Sequence, residues 1–228
     1  MKKPCFLLPL LFTAMRSRIL TAGLALLAFN AAAFGTTFTF NTDPLEGTNV
    51  RNVPGRQVVG SGSELFLSPF NIGTDVFAFG SVIFGGGNLL NFANDPIGSV
   101  PADANVVVLQ TLDNDANPGT PFGAGNAADL LASRITQHGP GVFIYFNQGL
   151  NLPRLVYSDD LASDQADLKI LARMLNLSGQ PGALSTFSPA NFLIITDSQS
   201  GVPEPSSLAM LGGGIALLTL GATRRHRA

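Results

Sequence analysis

Short apolar stretches separated by loops predict β-strands over the first half of the central chain. Residues 37–40 alternate polar and apolar side chains, which is typical of a half-buried strand. Residues 56–60 and 75–79 are the next candidates. Residues 105–110 form an uninterrupted, largely β-branched apolar run, so we expect a strand that is buried rather than at an edge. Loops rich in Gly, Asn, Asp and Pro separate these stretches.

The pattern in the second half predicts a hairpin and a final strand. Residues 142–146 and 153–157 are apolar and flank a short loop that contains Gly149. Two such runs around a glycine-containing loop are typical of a β-hairpin. Residues 192–196 predict the last strand.

Apolar side chains at helical spacing predict two amphipathic helices. The first covers residues 126–137 and ends before Gly139 and Pro140. The second opens after a capping Asp164, and its apolar face is formed by Leu168, Leu171, Ala172 and Leu175. The fold class expected from the whole pattern is α+β, with a mainly antiparallel sheet and both helices packed on one of its faces.

The first 33 residues have the pattern of a secretory signal peptide. Lys2 and Lys3 precede one apolar run, and Arg16 and Arg18 precede a second run over residues 19–29, which is followed by three alanines. The second unit has the charged start, apolar length and small residues of a cleavable signal. We therefore expect a signal helix within residues 1–33, with Met15 as a candidate start.

The C-terminal segment, residues 202–228, has three parts in a fixed order. Pro203, Glu204 and Pro205 should be extended and accessible, because proline restricts its own backbone and that of the preceding residue. A 15-residue apolar run follows, over residues 208–222, and predicts a short hydrophobic helix. A span of a bilayer needs roughly 20 residues. The chain then ends in a basic cluster formed by Arg224, Arg225 and Arg227.

This order of tripeptide, apolar run and basic end resembles the PEP-CTERM sorting signal of exosortase-dependent proteins in Gram-negative bacteria. The resemblance covers only residues 202–228. It implies export through the Sec translocon, a membrane-anchored intermediate at the inner membrane, and recognition of Pro203-Glu204-Pro205 by an exosortase. It also implies delivery to the cell surface or to an extracellular matrix, where exopolysaccharide is an expected partner.

A second resemblance covers parts of the central domain, residues 36–200. Thr120-Pro121-Phe122, Gly125-Asn126-Ala127-Ala128, residues 143–150 and residues 152–158 are similar to the ectodomains of some uncharacterised PEP-CTERM proteins of cyanobacteria and related bacteria. This similarity supports the expectation of export and implies no particular chemistry.

Charge is distributed unevenly along the chain. Six of the 13 basic residues but 14 of the 15 acidic ones lie in residues 36–200, which gives this domain a net charge of −8. A domain this acidic should repel nucleic acid and anionic lipid. The single cysteine, Cys5, lies in the expected signal peptide, so the mature domain should contain no disulfide.

Candidate catalytic and metal-binding residues are few. The only histidine of the central domain, His138, follows the first predicted helix, where a structural role at the helix end is favoured over catalysis. The chain has no G-x-S-x-G elbow, and one histidine without a mature cysteine argues against zinc. We therefore expect no enzyme activity, and calcium is the one candidate for a cofactor.

The calcium candidate is the loop that contains Asp113, Asp115 and Asn117. Oxygen ligands at alternating loop positions are typical of calcium sites. The sixth and twelfth loop positions, Pro118 and Ala124, depart from the EF-hand pattern, so Asp103 or Asp129 would have to complete the site.

Three functional hypotheses follow from these observations. The first is an exported surface or matrix-associated protein without catalytic activity. The alternative is a glycan-binding module that uses Tyr145, Tyr157 and Asn147 for stacking and hydrogen bonding. A hydrolase with paired carboxylates is the least favoured, because no pair of acids stands out in the sequence.

Overall fold

The computed structural model describes residues 35–195, with the exception of Ser61 and Pro118. The expected signal peptide and the segment 202–228, including its tripeptide and its arginines, lie outside the described residues. The strands are β1 (Thr37–Phe40), β2 (Val58–Val59), β3 (Leu65–Leu67), β4 (Val76–Gly80), β5 (Phe92–Asp95), β6 (Val106–Leu109), β7 (Gly141–Asn147), β8 (Leu152–Ser158), β9 (Leu168–Met174) and β10 (Phe192–Ile195).

Helical structure in this range is limited to one α-helix and short 3-10 turns. The helix α1 covers Ala124–Ala132. The 3-10 turns cover Val50–Asn52, Ser81–Phe84, Ile97–Ser99, Leu175–Leu177, Pro181–Thr186 and Pro189–Asn191. The domain is thus mainly β, in agreement with the coarse α+β expectation. Between residues 35 and 195, no helix has the length and hydropathy needed to cross a bilayer.

The strands form two sheets. One contains three strands in the order β1, β4, β10, and all of its pairings are parallel. The other runs β2, β9, β8, β7, β6, β5, and β3 also pairs with β9. Strands β5, β6 and β7 are parallel to one another, whereas β7, β8 and β9 form an antiparallel meander.

The expectation of a mainly antiparallel sheet is wrong for the described chain. Only the pairings of β7 with β8 and of β8 with β9 are antiparallel, and the remaining pairings are parallel. Parallel neighbours require a long connection, and the segment from β6 to β7 supplies one that includes α1. Local alternation of polar and apolar residues does not show this direction.

Apolar side chains fill two cores on opposite faces of the larger sheet. The first core lies between the two sheets and contains Phe77 and Phe79 of β4 with Ile144 of β7. The second lies between the larger sheet and α1 and contains Leu131 of the helix with Phe143 and Tyr145 of β7. Alternate residues of β7 enter different cores, so both faces of this strand are buried and all seven of its residues are inaccessible.

The first helix is confirmed with shifted boundaries. It begins after Gly123, whose backbone N–H donates to the side chain of Asn126 at 3.0 Å. It ends at Ala132, five residues before the expected end. Arg134 then donates through Nε to the carbonyl of Val100 at 2.8 Å, which attaches the segment after the helix to another loop.

The second predicted helix is wrong, because residues 168–174 form β9. A β-bulge explains the error. Leu155 pairs with Ala172 and the next residue, Val156, pairs with Ile170, which leaves Leu171 as an extra residue. The bulge interrupts the two-residue alternation, so apolar residues at positions 168, 171, 172 and 175 imitate helical spacing.

Candidate functional site

The predicted calcium loop is closed by its own hydrogen bonds. Oδ1 of Asp113 accepts the N–H of Asp115 at 3.2 Å, Oδ1 of Asp115 accepts the N–H of Asn117 at 2.9 Å, and Oδ1 of Asn117 accepts the N–H of Gly119 at 2.9 Å. The second oxygen of Asp115 accepts the hydroxyl of Thr120 at 2.6 Å. That hydroxyl, together with the N–H of Asn117, holds the pKa of Asp115 below its ordinary value.

The acids that were to complete the calcium site have other partners. Asp129 accepts a hydrogen bond from Arg56 at 2.6 Å, and Asp103 lies 3.4 Å from the side-chain amide of Asn91. In the part of the chain that the structure describes, no three His, Cys, Asp or Glu side chains are placed to hold a metal ion together. Calcium binding by Asp113, Asp115 and Asn117 stays a prediction.

His138 contacts Asp160 at the surface and does not lie at a helix end. α1 ends at Ala132, so the expected interaction with its C-terminus is wrong. The Nδ1 atom of His138 lies 2.7 Å from Oδ2 of Asp160, and its side chain is 76% exposed. Oδ1 of Asp160 accepts the N–H groups of Gly139 and Ala162, so this carboxylate organises the loop before β9.

Asp159 and Asp160 are neighbours with opposite pKa shifts. Burial raises the pKa of Asp159, in spite of the N–H of Asp167 that its Oδ1 accepts at 2.8 Å. Burial also acts to raise the pKa of Asp160, but the hydrogen bonds from His138, Gly139 and Ala162 outweigh it and lower that pKa. Ionisation of Asp159 therefore costs stability in the folded protein, whereas ionisation of Asp160 contributes stability.

We expect Asp159→Asn to raise and Asp160→Asn to lower the melting temperature at pH 7. Asparagine at 159 keeps an oxygen for the N–H of Asp167 and removes a charge that is unfavourable above the raised pKa. The stabilising contribution of Asp160 is present above the unfolded pKa of about 3.9 and is lost as the pH falls through the lowered folded value. Each effect should reach up to about 1 kcal/mol.

Thermal unfolding of both variants at pH 7 and at pH 3 checks this pair. The gain from Asp159→Asn should shrink and vanish as the pH falls below the unfolded pKa, because the wild-type acid is then protonated in both states. The loss from Asp160→Asn should shrink in the same range. Shifts of the same sign at pH 7 would contradict the assignment.

The residues proposed for glycan stacking lie in the interior. Tyr145 has no exposed surface, and Tyr157 and Asn147 are 4% and 7% exposed. Burial raises the pKa of Tyr157 to about 12. The hydroxyl of Tyr145 accepts a hydrogen bond from Nδ2 of Asn147 at 2.9 Å. The interpretation of these side chains as an exposed aromatic platform is therefore wrong.

Two arginines lie side by side beyond the hydroxyl of Tyr145. Arg154 of β8 is in register with both Tyr145 of β7 and Arg173 of β9. We call Arg154 and Arg173 the arginine pair. Burial raises the pKa of Tyr145, and the positive charges of both guanidinium groups act against that shift.

One carboxylate serves this pair of cations. Oε1 of Glu64 lies 2.5 Å from Nη2 of Arg173, and the glutamate side chain is only 3% exposed. Among the described residues, Arg154 has no carboxylate within 4 Å, and its Nη1 reaches only the hydroxyl of Tyr145 at 3.5 Å. The cluster of Glu64 and the arginine pair thus carries a net charge of +1 in a domain whose sequence is strongly acidic.

Hydrogen-bonding capacity within this cluster is unused. Oε2 of Glu64, Nε of Arg154 and Nε of Arg173 are buried and have no hydrogen-bond partner. Buried polar groups in folded proteins are almost always paired with protein, water or ligand. Three such atoms on adjoining side chains mark a place where water or a ligand can supply the missing partners.

A second polar feature is a cleft around Lys169, on the opposite face of the larger sheet. The cleft has a volume of about 430 Å³, and its lining includes Thr39, Asn41, Asp43 and Glu46. Lys169 is 7% exposed, is in register with Tyr157, and forms no ion pair with a carboxylate in the described range. The ion pair of Asp43 with Arg51, at 2.6 Å, lies beside it and keeps the pKa of Asp43 below its usual value.

Sequence reasoning missed the arginine pair. Arg154 is within a correctly predicted strand, but its neighbour Arg173 falls in the segment assigned to the second helix. The available signal was the presence of charged residues inside otherwise apolar strands, since such residues are almost never buried unless paired.

No family model, curated protein or solved structure matches this chain.

Proposed function

We propose that this chain is an exported protein of the cell surface or extracellular matrix, sorted by an exosortase and acting by binding instead of catalysis. The observation that carries the proposal is the order of three features in residues 202–228: the tripeptide Pro203-Glu204-Pro205, an apolar run, and the cluster of Arg224, Arg225 and Arg227. A buried helix of a soluble domain would not be expected to end in such a cluster directly after a proline-rich linker.

The other parts of the chain are consistent with this route. Residues 1–33 supply the signal that the Sec translocon would need, and the only cysteine lies within them. The acidic domain between the two signals would stay soluble outside the cell and would avoid nucleic acid. The proposed partners are the translocon, the exosortase, the inner membrane as a temporary support, and exopolysaccharide at the destination.

Two titratable groups of the domain are poorly suited to acid–base catalysis near neutral pH. Tyr157, with a pKa of about 12, stays protonated at neutral pH. Asp43, which lines the Lys169 cleft, has a lowered pKa because of its hydrogen bond with Arg51, so it is unsuited to act as the general acid of a hydrolase.

Deletion of Pro203-Glu204-Pro205 should stop maturation of the exported protein. We expect the wild type in the surface or extracellular fraction with a shortened C-terminus, and the deletion variant in the inner membrane with its C-terminus intact. Fractionation followed by mass spectrometry of both termini measures this. Replacing Ser206 and Ser207 by alanine is the matched control, and this variant should be processed like the wild type.

A wild-type protein that remains in the cytoplasm with both termini intact would refute the sorting proposal. Equal processing of the wild type and the deletion variant would show that the tripeptide is not what the processing enzyme recognises.

A glycan-binding module is the second candidate, on different residues from those that the sequence suggested. The arginine pair favours it, because its surplus positive charge and its buried Nε atoms without partners suit a ligand that carries an anionic group. The Lys169 cleft adds a polar lining that suits a ligand with several hydroxyl groups.

A further inference from the structure

We propose that the arginine pair binds the carboxylate of an acidic sugar in an extracellular polysaccharide, with Arg154 as the principal contact. The choice of a sugar as the carrier of the carboxylate rests on the proposed function at the cell surface or in the matrix. The carboxylate itself is inferred from the side chains alone.

The charges of the cluster formed by Glu64 and the arginine pair do not balance. Arg154 and Arg173 are directly opposite each other on adjacent antiparallel strands, where like charges are destabilising. Glu64 neutralises one of them and leaves one positive charge. A bound carboxylate would restore equal numbers of cations and anions at this place.

The guanidinium group of Arg154 has hydrogen-bond donors to spare. A guanidinium group has five N–H donors in a planar fork that matches the two oxygens of a carboxylate. The hydroxyl of Tyr145, at 3.5 Å, lies beyond the usual range of an N–H···O bond and leaves the fork of Arg154 essentially unused. The hydroxyl is itself fixed by Asn147, so Arg154 faces an acceptor of constant position.

Arg154 is both accessible to solvent and held on a rigid part of the fold. Arg154 is partly exposed, so an anion from solvent can reach it, while its backbone lies in the middle of the antiparallel meander. Gly60 lies beside it: a Cβ atom there would be 3.8 Å from Nη2 of Arg154. The lack of a side chain at position 60 leaves this side of the guanidinium uncovered. Positions on strands hold a binding group more accurately than positions on loops.

An exposed aromatic ring lies beside the arginine pair. The ring of Phe66 lies 5.3 Å from the guanidinium carbon of Arg173 and is 61% exposed. An apolar ring beside a carboxylate site can receive the C–H face of a sugar ring. The general acidity of the domain disfavours polymers of high charge density, such as nucleic acid. The combination of one unpaired cation and one exposed ring therefore suits a uronate better than a phosphate polymer.

The test is calorimetric titration of the full chain, solubilised in a nonionic detergent, with oligogalacturonate as the probe. We expect saturable binding at low salt that weakens as ionic strength rises. Arg154→Gln should weaken it roughly ten- to a hundredfold, because charge-assisted hydrogen bonds are lost. Arg154→Lys keeps the charge but lacks the fork, so it should also bind more weakly than the wild type.

Arg134→Gln is the matched control. Arg134 is exposed and lacks a carboxylate within 4 Å among the described residues, so this change removes the same charge without altering the cluster. Its affinity should stay within about twofold of the wild type. Glu64→Gln removes the competing carboxylate and should tighten binding. Circular dichroism and melting of each variant show that it is folded, and Arg154→Lys carries the test if Arg154→Gln does not fold.

Three further ligands test whether the carboxylate that binds belongs to a sugar. A neutral glucose oligomer and free acetate should bind at least tenfold more weakly than oligogalacturonate, because each lacks either the charge or the ring. Poly-glutamate of equal length should also be weaker, and equal affinity for it would assign the site to an acidic peptide and overturn the proposal. No binding of oligogalacturonate by the wild type, or equal binding by wild type and folded Arg154 variants, would overturn it as well. None of these results depends on where the cell delivers the protein, so the sorting proposal stands or falls separately.

Discussion

Phe77→Ala should lower the free energy of unfolding by about 4 kcal/mol, with a fall in melting temperature of roughly 10 °C. Phe77 lies on the central strand of the three-stranded sheet and has no exposed surface. Its ring centroid is 4.9 Å from that of Phe70, and the rings of Phe38 and Phe192 lie 6.0 Å and 6.1 Å away. The truncation would leave a cavity between two sheets, where the surrounding rings have little freedom to close it.

Phe66→Ala is the matched control, because it deletes the same ring from a site that is 61% exposed. The contact with Arg173 is lost, at a cost of about 0.5–1 kcal/mol. Denaturant unfolding of the two variants measures the difference. A loss below about 1 kcal/mol for Phe77→Ala would mean that the aromatic cluster between the sheets is not closely packed.

Gly141→Ala should cost about 3 kcal/mol, although alanine is normally the mildest of substitutions. Gly141 opens β7, and a Cβ atom there would contact Cδ1 of Leu161 and lie only 2.5 Å from the carbonyl oxygen of Asn105. That carbonyl accepts the N–H of Val142 at 3.0 Å, so relief of the clash requires movement of backbone that joins β6 to β7. Thermal unfolding of the variant reports the cost.

Gly98→Ala serves as its control. Gly98 is exposed, and a Cβ atom there would meet no atom within 4 Å. Alanine should be neutral or should stabilise by about 0.4–1 kcal/mol, through the lower entropy of the unfolded chain. If both glycine variants melted at the wild-type temperature, the close approach at Gly141 would be disproved.

The strands that could be predicted are those whose pattern reflects one simple environment. The run that became β6 is apolar at every position because both of its faces are buried. The hairpin of β7 and β8 could be predicted because two apolar runs flank a short loop that contains Gly149. In these cases the local sequence contains the information that determines the structure.

The incorrect predictions concern segments whose structure depends on residues far away in the sequence. The bulge at Leu171 is imposed by pairing with β8, and the parallel pairings join strands far apart in sequence, such as β1 with β4 and β4 with β10. Asp75, taken as the first residue of a strand, instead accepts the N–H groups of Thr36 and Asn71 at 2.8 Å each. Non-local partners of this kind leave no periodic signal.

The arginine pair could not be predicted from the sequence, for a related reason. Each arginine alone reads as an ordinary charged residue, and their shared position depends on the register of β8 against β9. Once β9 had been assigned to a helix, Arg173 could not be placed next to Arg154. The acidic side of the cluster, Glu64, lies 109 positions away from Arg173 in the chain.

The position of β10 sets the length of the tether that would hold the domain during sorting. β10 ends at Ile195 and is hydrogen-bonded to the central strand β4, so the folded domain continues to within 13 residues of Leu208, where the apolar run begins. A fully extended chain covers at most about 3.5 Å per residue, so this leash is no longer than about 45 Å. A processing enzyme that cuts at the tripeptide would have to work in the narrow gap between a membrane and a folded cargo. Lengthening the leash would then speed release, while shortening it would hinder the cut.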